Sequence, residues 1–297
     1  MTTVVMTGAT SGIGAVALSR MVREPGVRVL VGARGTPQPG TETLPLDLAS
    51  LASVREFAGT VAERLGDDSI DALVLNAGAS MRTDTGRTAD GFEVTFAVNH
   101  LAHYDLLRLL TPRLASGAVV VITTSATHDP AAKTILPPPR HADAELLAHP
   151  DRDPQHDTEP RAAAGRAYAS SKLCNVLTVR AFAALPEAAA HGWRVIAYDP
   201  GPTGGTGLLR DAPAALRIGW RLLGTRARML MPRFNSLDVV GGNLADIALS
   251  RITPPDGQYH ARVAGNRLTW VPPSDLAQSD DAREGLWRDS AKLLAQL

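Results

Sequence analysis

Thr7-Gly8-Ala9-Thr10-Ser11-Gly12-Ile13-Gly14 follows directly on an apolar, β-branched run from Val4 and opens onto a helical pattern running from Ile13 to Arg23. No other stretch constrains the fold as strongly. A strand that ends in a glycine turn and re-enters as a helix begins a βαβ unit, and parallel strands require such crossovers. Glycines let the backbone turn sharply and approach a phosphate closely, while the free N–H groups and positive dipole of a helix start favour an anion. The turn therefore predicts a dinucleotide site at Gly8, Ser11, Gly12, Ile13 and Gly14. Its spacing is Gly-x-x-x-Gly-x-Gly rather than Gly-x-Gly-x-x-Gly, so the strand before it and the helix after it carry the argument.

The rest of the chain repeats the alternation. Strands are predicted at Arg28 to Gly32, Thr43 to Leu46, Asp71 to Asn76, Ala118 to Thr124, Arg194 to Asp199 and Gln258 to Val263. Helical patterns fall at Ser50 to Leu65, Thr95 to Leu114, Arg166 to Leu185, Leu237 to Leu249 and Ala282 to Ala295. This order predicts an α/β protein, a doubly wound parallel sheet flanked by helices, as a single domain over residues 1–297. Two stretches break the rhythm. The stretch 35–42 between the second and third strands is too short and too rich in Pro and Gly for a crossover helix, which predicts a bare sheet edge. Residues 128–165, with Pro137-Pro138-Pro139 and many Asp and His, read as an inserted surface loop, partly mobile.

Composition removes several function classes. Thirty acidic and thirty basic residues leave no net field for nucleic acid or an anionic membrane. The lone Cys174 cannot form an intrachain disulfide and reads as a small buried hydrophobe, which fits a reducing cytoplasm. His128, His141, His149 and His156 match no fixed helix face, so they read as solvated loop residues, and no metal site is expected. No stretch of about 18 apolar residues suggests a membrane span.

Tyr168 and Lys172 lie four residues apart on one predicted helix and so share a face. Only three of the thirty basic residues are lysines: Lys133, Lys172 and Lys292. A chain that writes almost every cation as arginine but keeps lysine here needs a compact ammonium on a flexible stem. Phenol and ammonium in one cleft form an acid/base unit. At the end of the second strand, an Asp or Glu would favour NAD, but the residues are Ala33 and Arg34. Arg34 can pair with a 2′-phosphate, so NADP is expected and NAD is less favoured. Asp47 and Leu48 are placed for the adenine edge, although Asp47 could equally cap the following helix.

Together these motifs resemble the short-chain dehydrogenase/reductase family. The matching pieces are Thr7-Gly8-x-x-x-Gly12-x-Gly14, Asn76-Ala77-Gly78, Asn99, Ser125, Tyr168-x-x-x-Lys172 and Pro200-Gly201, in the family's order. Val98-Asn99-His100-Leu101-Ala102-His103 and the stretch from Tyr168 to Leu177 look most like its retinol-dehydrogenase and protochlorophyllide-reductase branch. The resemblance implies a Rossmann-type NAD(P)-binding domain and a catalytic tetrad of Asn99, Ser125, Tyr168 and Lys172. Tyr168 would be the general acid, its phenolate stabilised by Lys172 and the oxidised nicotinamide, and Lys172 would also hold the nicotinamide ribose. Ser125, with Thr124 as rival, would bond the substrate carbonyl, Asn99 would hold a relay water, and Asn76, Ala77 and Gly78 would lie beneath the adenosine ribose. Pro200, Gly201 and Thr203 would complete the coenzyme contacts, although Thr203 stands where the family often has Val.

Residues from about 202 to 234 are expected to form a substrate lid. It is apolar, with Arg210, Arg217, Arg221, Arg226, Arg228 and Arg233 facing only Asp211. The expected reaction is NADPH-dependent reduction of a medium-sized, mostly hydrophobic ketone or aldehyde by a monomer or homodimer. Two alternatives stand beside it: a carbon-carbon double-bond reductase of the same family, and a non-catalytic NADP(H)-binding redox sensor.

Overall fold

The computed structural model describes residues 1–35, 38–204 and 234–296. Eight strands form one sheet in the order β3-β2-β1-β4-β5-β6-β7-β8. These are β1 (Thr2–Thr7), β2 (Val27–Ala33), β3 (Glu42–Pro45), β4 (Ile70–Leu75), β5 (Leu114–Thr123), β6 (Arg194–Asp199), β7 (His260–Ala264) and β8 (Arg267–Trp270). Every neighbouring pair is parallel except β7 and β8. Order reverses at β1 and β4, so the chain after β1 and the chain after β4 leave the sheet side by side. A crevice at such a switch point is where these sheets hold ligands.

Near-continuous apolar strands are explained by burial on both faces. In β1, Val4 and Met6 enter the layer that holds Ala17, Leu18 and Met21 of α1 (Gly12–Met21) and Val240 and Leu244 of the helix Leu237–Ala248. Val5 points the other way. It joins Phe57 of α2 (Leu51–Leu65), Leu101, Leu106, and Leu173, Val176 and Phe182 of the long helix Pro160–Ala183. Cys174 is buried in that second layer, and burial pushes its thiol pKa up.

Several boundaries depart from the sequence expectations. The helix expected at Thr95 to Leu114 runs as Val94–Phe96, a π turn over Ala97–Leu101, and Ala102–Leu110. It stops there because Pro112 lacks the N–H a continuing helix needs, and β5 starts at Leu114. The helix carrying Tyr168 starts at Pro160, six residues early, with proline in its first turn and the Glu159 carboxylate accepting the Ala162 N–H. β8 was not expected. Its signal was Gly265-Asn266, both with positive φ, which closes a tight hairpin between two antiparallel strands. No helix lies between β2 and β3 among the described residues, in keeping with the short Pro/Gly stretch.

The 128–165 segment is a built element rather than a loose loop. It contains a helix at Ala144–Ala148 and is fastened by Arg140 and Arg166 to Asp157 and by Arg87 to Asp151. Its histidines are not simply solvated. His156 pairs with Asp84 at 2.6 Å, His141 with Asp153 at 3.2 Å, His149 packs on Phe92, and His128 is buried. Residues 205–233, most of the expected lid, lie outside the described residues. Among those described, no helix is long and apolar enough to cross a membrane, and no group of three or more His, Cys, Asp or Glu is arranged to hold a metal.

Candidate active site

The carboxyl ends of β1, β4 and β5 are tied together by side chains from their own last residues. Thr7 ends β1, and its hydroxyl accepts the N–H groups of Asn76 and Ala77 at 3.1 and 3.2 Å. Having accepted twice, that hydroxyl donates its proton to His103 Nε2 at 2.9 Å, and His103 Nδ1–H donates to the Asn99 carbonyl. This tautomer is neutral. Burial holds the His103 pKa down at about 4. Asn76 reaches both ways: its Nδ2 donates to the Gly8 carbonyl at 3.0 Å, and its Oδ1 accepts from Thr123 Oγ1 at 3.1 Å.

Gly8 needs to be glycine for two reasons. Its φ is +68°, and a Cβ there would sit 2.6 Å from the Ala77 backbone. The turn and the end of β4 therefore touch backbone to backbone. Beyond them Ser11 starts α1 without a side-chain cap, with Thr10 and Ser11 exposed and Gly12 and Ile13 half-buried. The first turn of α1 thus lacks a side-chain cap beside the switch point, and uncapped helix N–H groups favour an anion. Arg34 at the end of β2 is exposed and makes no hydrogen bond or ion pair with the described residues, leaving its guanidinium available to an anion. Asp47 is not the cap of α2. It accepts the Ala49 N–H, while Ser50 caps the helix by accepting from Ser53 N. Leu48 packs against the core.

Tyr168 and Lys172 project from the same face of the long helix into the cleft beyond β5. The Tyr168 hydroxyl lies near enough to Ser125 for that hydroxyl to favour its phenolate, and Lys172 Nζ lies 5.6 Å from the Tyr168 ring centroid. Lys172 Nζ donates to the Thr123 carbonyl at 3.2 Å, which Asn175 Nδ2 also reaches at 2.9 Å. Gly78 lies beneath the ammonium, and a Cβ there would come within 3.3 Å of Nζ. Thr124 is removed as a rival to Ser125, because its hydroxyl donates to the Lys172 carbonyl at 2.7 Å. Ser125 is held through its backbone: its carbonyl accepts from His128 Nδ1 at 2.7 Å.

Asn99 sits in the π turn, and its amide makes three hydrogen bonds. Its Oδ1 accepts from Ala79 N at 2.7 Å, and its Nδ2 donates to the Ala79 carbonyl and to Ser171 Oγ. The side chain therefore fixes Ala79 against the helix that carries Tyr168 and Lys172. Gly201 has φ +61° and donates its N–H to Asp199. The proton of the Thr203 hydroxyl is spent on the Pro200 and Gly201 carbonyls.

Electrostatics differ from the sequence expectation at one point. Burial, with the nearby Asp199 carboxylate, pushes the Tyr168 pKa up, against the pull of the Ser125 hydroxyl. Lys172 does not counter this. Its own pKa is pushed down to about 8 by burial, with Asp199 acting in the opposite sense. A phenol enclosed by protein loses the water that would stabilise its anion, and that cost exceeds what the ammonium supplies. Sequence reasoning missed Thr7, His103, His128, Asn175, Asp199 and Arg262 around this site. Asp199, next to Pro200-Gly201 and charged at the end of an apolar strand, carried a local signal, and Thr7, His103 and Asn175 lie inside the family-matching stretches without a role assigned to them.

Residues 2–136 match the family model described as short chain dehydrogenase. A bovine (Bos taurus) protein named dehydrogenase/reductase SDR family member 13 is 32% identical over 98% of this chain and 72% of its own. Human retinol dehydrogenase 12 is 30% identical over 98% of this chain and 85% of its own. A Streptomyces sp. (strain C5) protein with the provisional name daunorubicin C-13 ketoreductase is 33% identical over 67% of this chain and 65% of its own. Among solved structures, a protein from Mycobacterium paratuberculosis superposes with a TM-score of 0.69 at 26% identity, covering 99% of this chain and 94% of the other. A full-length match at this identity, laid over a switch-point crevice with a Tyr-x-x-x-Lys helix beside it, places the chain in the short-chain dehydrogenase/reductase family of oxidoreductases, on its retinol-dehydrogenase side.

Proposed function

We propose that this protein is an NADPH-dependent reductase of ketones or aldehydes on medium-sized, mostly hydrophobic substrates, with Tyr168 as general acid. The observation that carries the reading is the buried Tyr168 ring with Lys172 Nζ 5.6 Å from its centroid on the same helix face, beside Ser125. NADPH, when bound, supplies the hydride. The residues fit that coenzyme: the uncapped start of α1 suits a pyrophosphate, Gly78 leaves room beneath Lys172, and Arg34 with Ala33 suits a 2′-phosphate better than a second ribose hydroxyl.

The chain's own groups then divide the work. Ser125 donates to the substrate carbonyl oxygen as negative charge grows there, and Tyr168 delivers a proton to the same oxygen. A phenol with a raised pKa is fully protonated at neutral pH, which suits an acid in the reductive direction. Lys172 supports the resulting phenolate, and Asn99 keeps the backbone between Asn76 and Ala79 against the helix that carries both. Similarity to a protein named as a ketoreductase supports a carbonyl substrate.

The test is a carbonyl panel assayed with NADPH and NADH, for wild type and Tyr168→Phe. NADPH-preferring turnover that Tyr168→Phe removes supports the reading. Equal, negligible turnover by both proteins, with both binding NADPH, would replace it with a redox-sensing role.

A further inference from the structure

Asp199 is a fully buried carboxylate at the end of β6, and neither the coenzyme turn nor the proton donor described above uses it. Its Oδ1 accepts the Gly201 N–H at 2.9 Å, and its Oδ2 accepts from Arg262 Nε at 2.8 Å. Arg262 stands opposite it in the parallel β6–β7 register and reaches on toward Asp129 at 3.9 Å. A buried carboxylate is tolerated only where opposite charge and hydrogen bonds offset its lost hydration. Here Arg262 does so incompletely. It offers Asp199 one hydrogen bond rather than a bidentate fork, and its buried Nη2 has no hydrogen-bond partner.

Four of the elements around this carboxylate contribute ionisable groups. The long helix presents Tyr168 and Lys172, β7 presents His260 and Arg262, the turn after β5 presents His128 and Asp129, and β6 itself carries Tyr198. The two histidine rings meet edge to face at 5.3 Å, and burial favours the neutral form of both. The charged set is therefore two carboxylates, Asp199 and Asp129, against two cations, Arg262 and Lys172. Asp199 stands on the same side of the sheet as Lys172: Thr123, whose carbonyl holds Lys172 Nζ, pairs with Tyr198, and Ala197, two residues before Asp199, packs in the layer that holds Leu173 of the long helix. Lys172 is 3% exposed, its ammonium has a single hydrogen bond among the described residues, and Asp199 acts to keep it charged.

We propose that Asp199 is a positioning residue of the proton-transfer site: it is the counter-charge that lets the enclosed Lys172 remain an ammonium, and Arg262 moderates its strength. The inference rests on the reading of Tyr168 as proton donor. Its physical basis is sign. An anion beside Lys172 and Tyr168 favours the protonated form of both, which is the form a reductase must enter the reaction with. A carboxylate that served only to hold the Pro200–Gly201 turn would leave both titrations where they are.

With three lysines in the chain, ¹³Cε-lysine NMR of the full-length protein resolves the titration directly, and Lys172→Met assigns the buried signal. Wild-type Lys172 is expected to titrate near pH 8. In Asp199→Asn its midpoint falls by about one pH unit or more, and in Arg262→Gln, which removes a cation, it rises. The alkaline limb of kcat/KM for carbonyl reduction moves the same way in each variant. An unmoved Lys172 midpoint in Asp199→Asn overturns the proposal. If that variant does not fold, an unmoved midpoint in Arg262→Gln overturns it instead. Undiminished carbonyl reduction by Tyr168→Phe would defeat the functional reading alone, since the NMR titration needs neither coenzyme nor turnover.

Discussion

The two faces of the long helix Pro160–Ala183 are built on opposite principles. One face sends Tyr168, Lys172 and Asn175 into the cleft, wholly buried, where a few hydrogen bonds to strand ends and one carboxylate decide their state. The other carries Arg166 against Asp157, which also pairs with Arg140, in a partly exposed ion-pair cluster that fastens the 128–165 segment. Charges on the second face are many and each is screened by water. On the first they are few, and each is worth more because the surroundings respond less. Substitutions on the catalytic face should therefore change chemistry far more than stability, and those on the outer face the reverse.

The sharpest way to break this contrast is Tyr168→Phe. The variant keeps the ring and loses one hydroxyl, so turnover is expected to fall by about 10²- to 10⁴-fold while the melting temperature stays near wild type. A large loss of stability with residual turnover would erase the distinction between the faces. Gly8→Ala comes next. A side chain at φ +68° that also meets the Ala77 backbone is expected to cost roughly 1–3 kcal/mol and to abolish tight NADPH binding, read by thermal melts with and without coenzyme.

Acid stability tests the buried polar groups beneath the catalytic face. His100 and His103 have pKa values held down at about 3 and about 4 by burial, so they stay neutral when folded and protonate at about 6.5 when unfolded. Their contribution is present above pH 6.5 and is lost as pH falls, by about 2 kcal/mol for each ring at pH 5. Glu93 works against this. Burial raises its pKa to about 7, so its contribution is full below the unfolded value of 4.5 and is lost as pH rises through 7. With His260 also held down at about 4 and His128 lowered by burial, four rings oppose two carboxyls, Glu93 and Asp105, and the melting temperature should fall between pH 6.5 and 5. A flat profile would mean that these rings protonate in place. Smallest of all is Asp157→Asn on the outer face: about 1 kcal/mol of stability and unchanged kcat/KM, measured by denaturant melts and the same carbonyl assay.

The same contrast separates what was legible in the chain from what was not. The glycine turn, the strand-helix alternation and the Tyr168–Lys172 spacing are local. Backbone freedom, strand pleating and the i, i+4 face act within a few residues, so the sequence itself determined the sheet, the glycine turn and the shared face of Tyr168 and Lys172. Local signals also existed for the hairpin at Gly265-Asn266 and the stop at Pro112, where the expected boundaries went astray. Other features joined residues far apart in the chain. Thr7 meets His103, Asn99 meets Ala79 and Ser171, and Asp199 meets Arg262, and each pair exists only because the strand order brings separate segments to one sheet edge. Ionisation is the last step of that dependence. The type and spacing of Tyr168 and Lys172 can be read from the chain, but their protonation is decided by burial and by one distant carboxylate, because the free energy of a charge depends on everything that surrounds it.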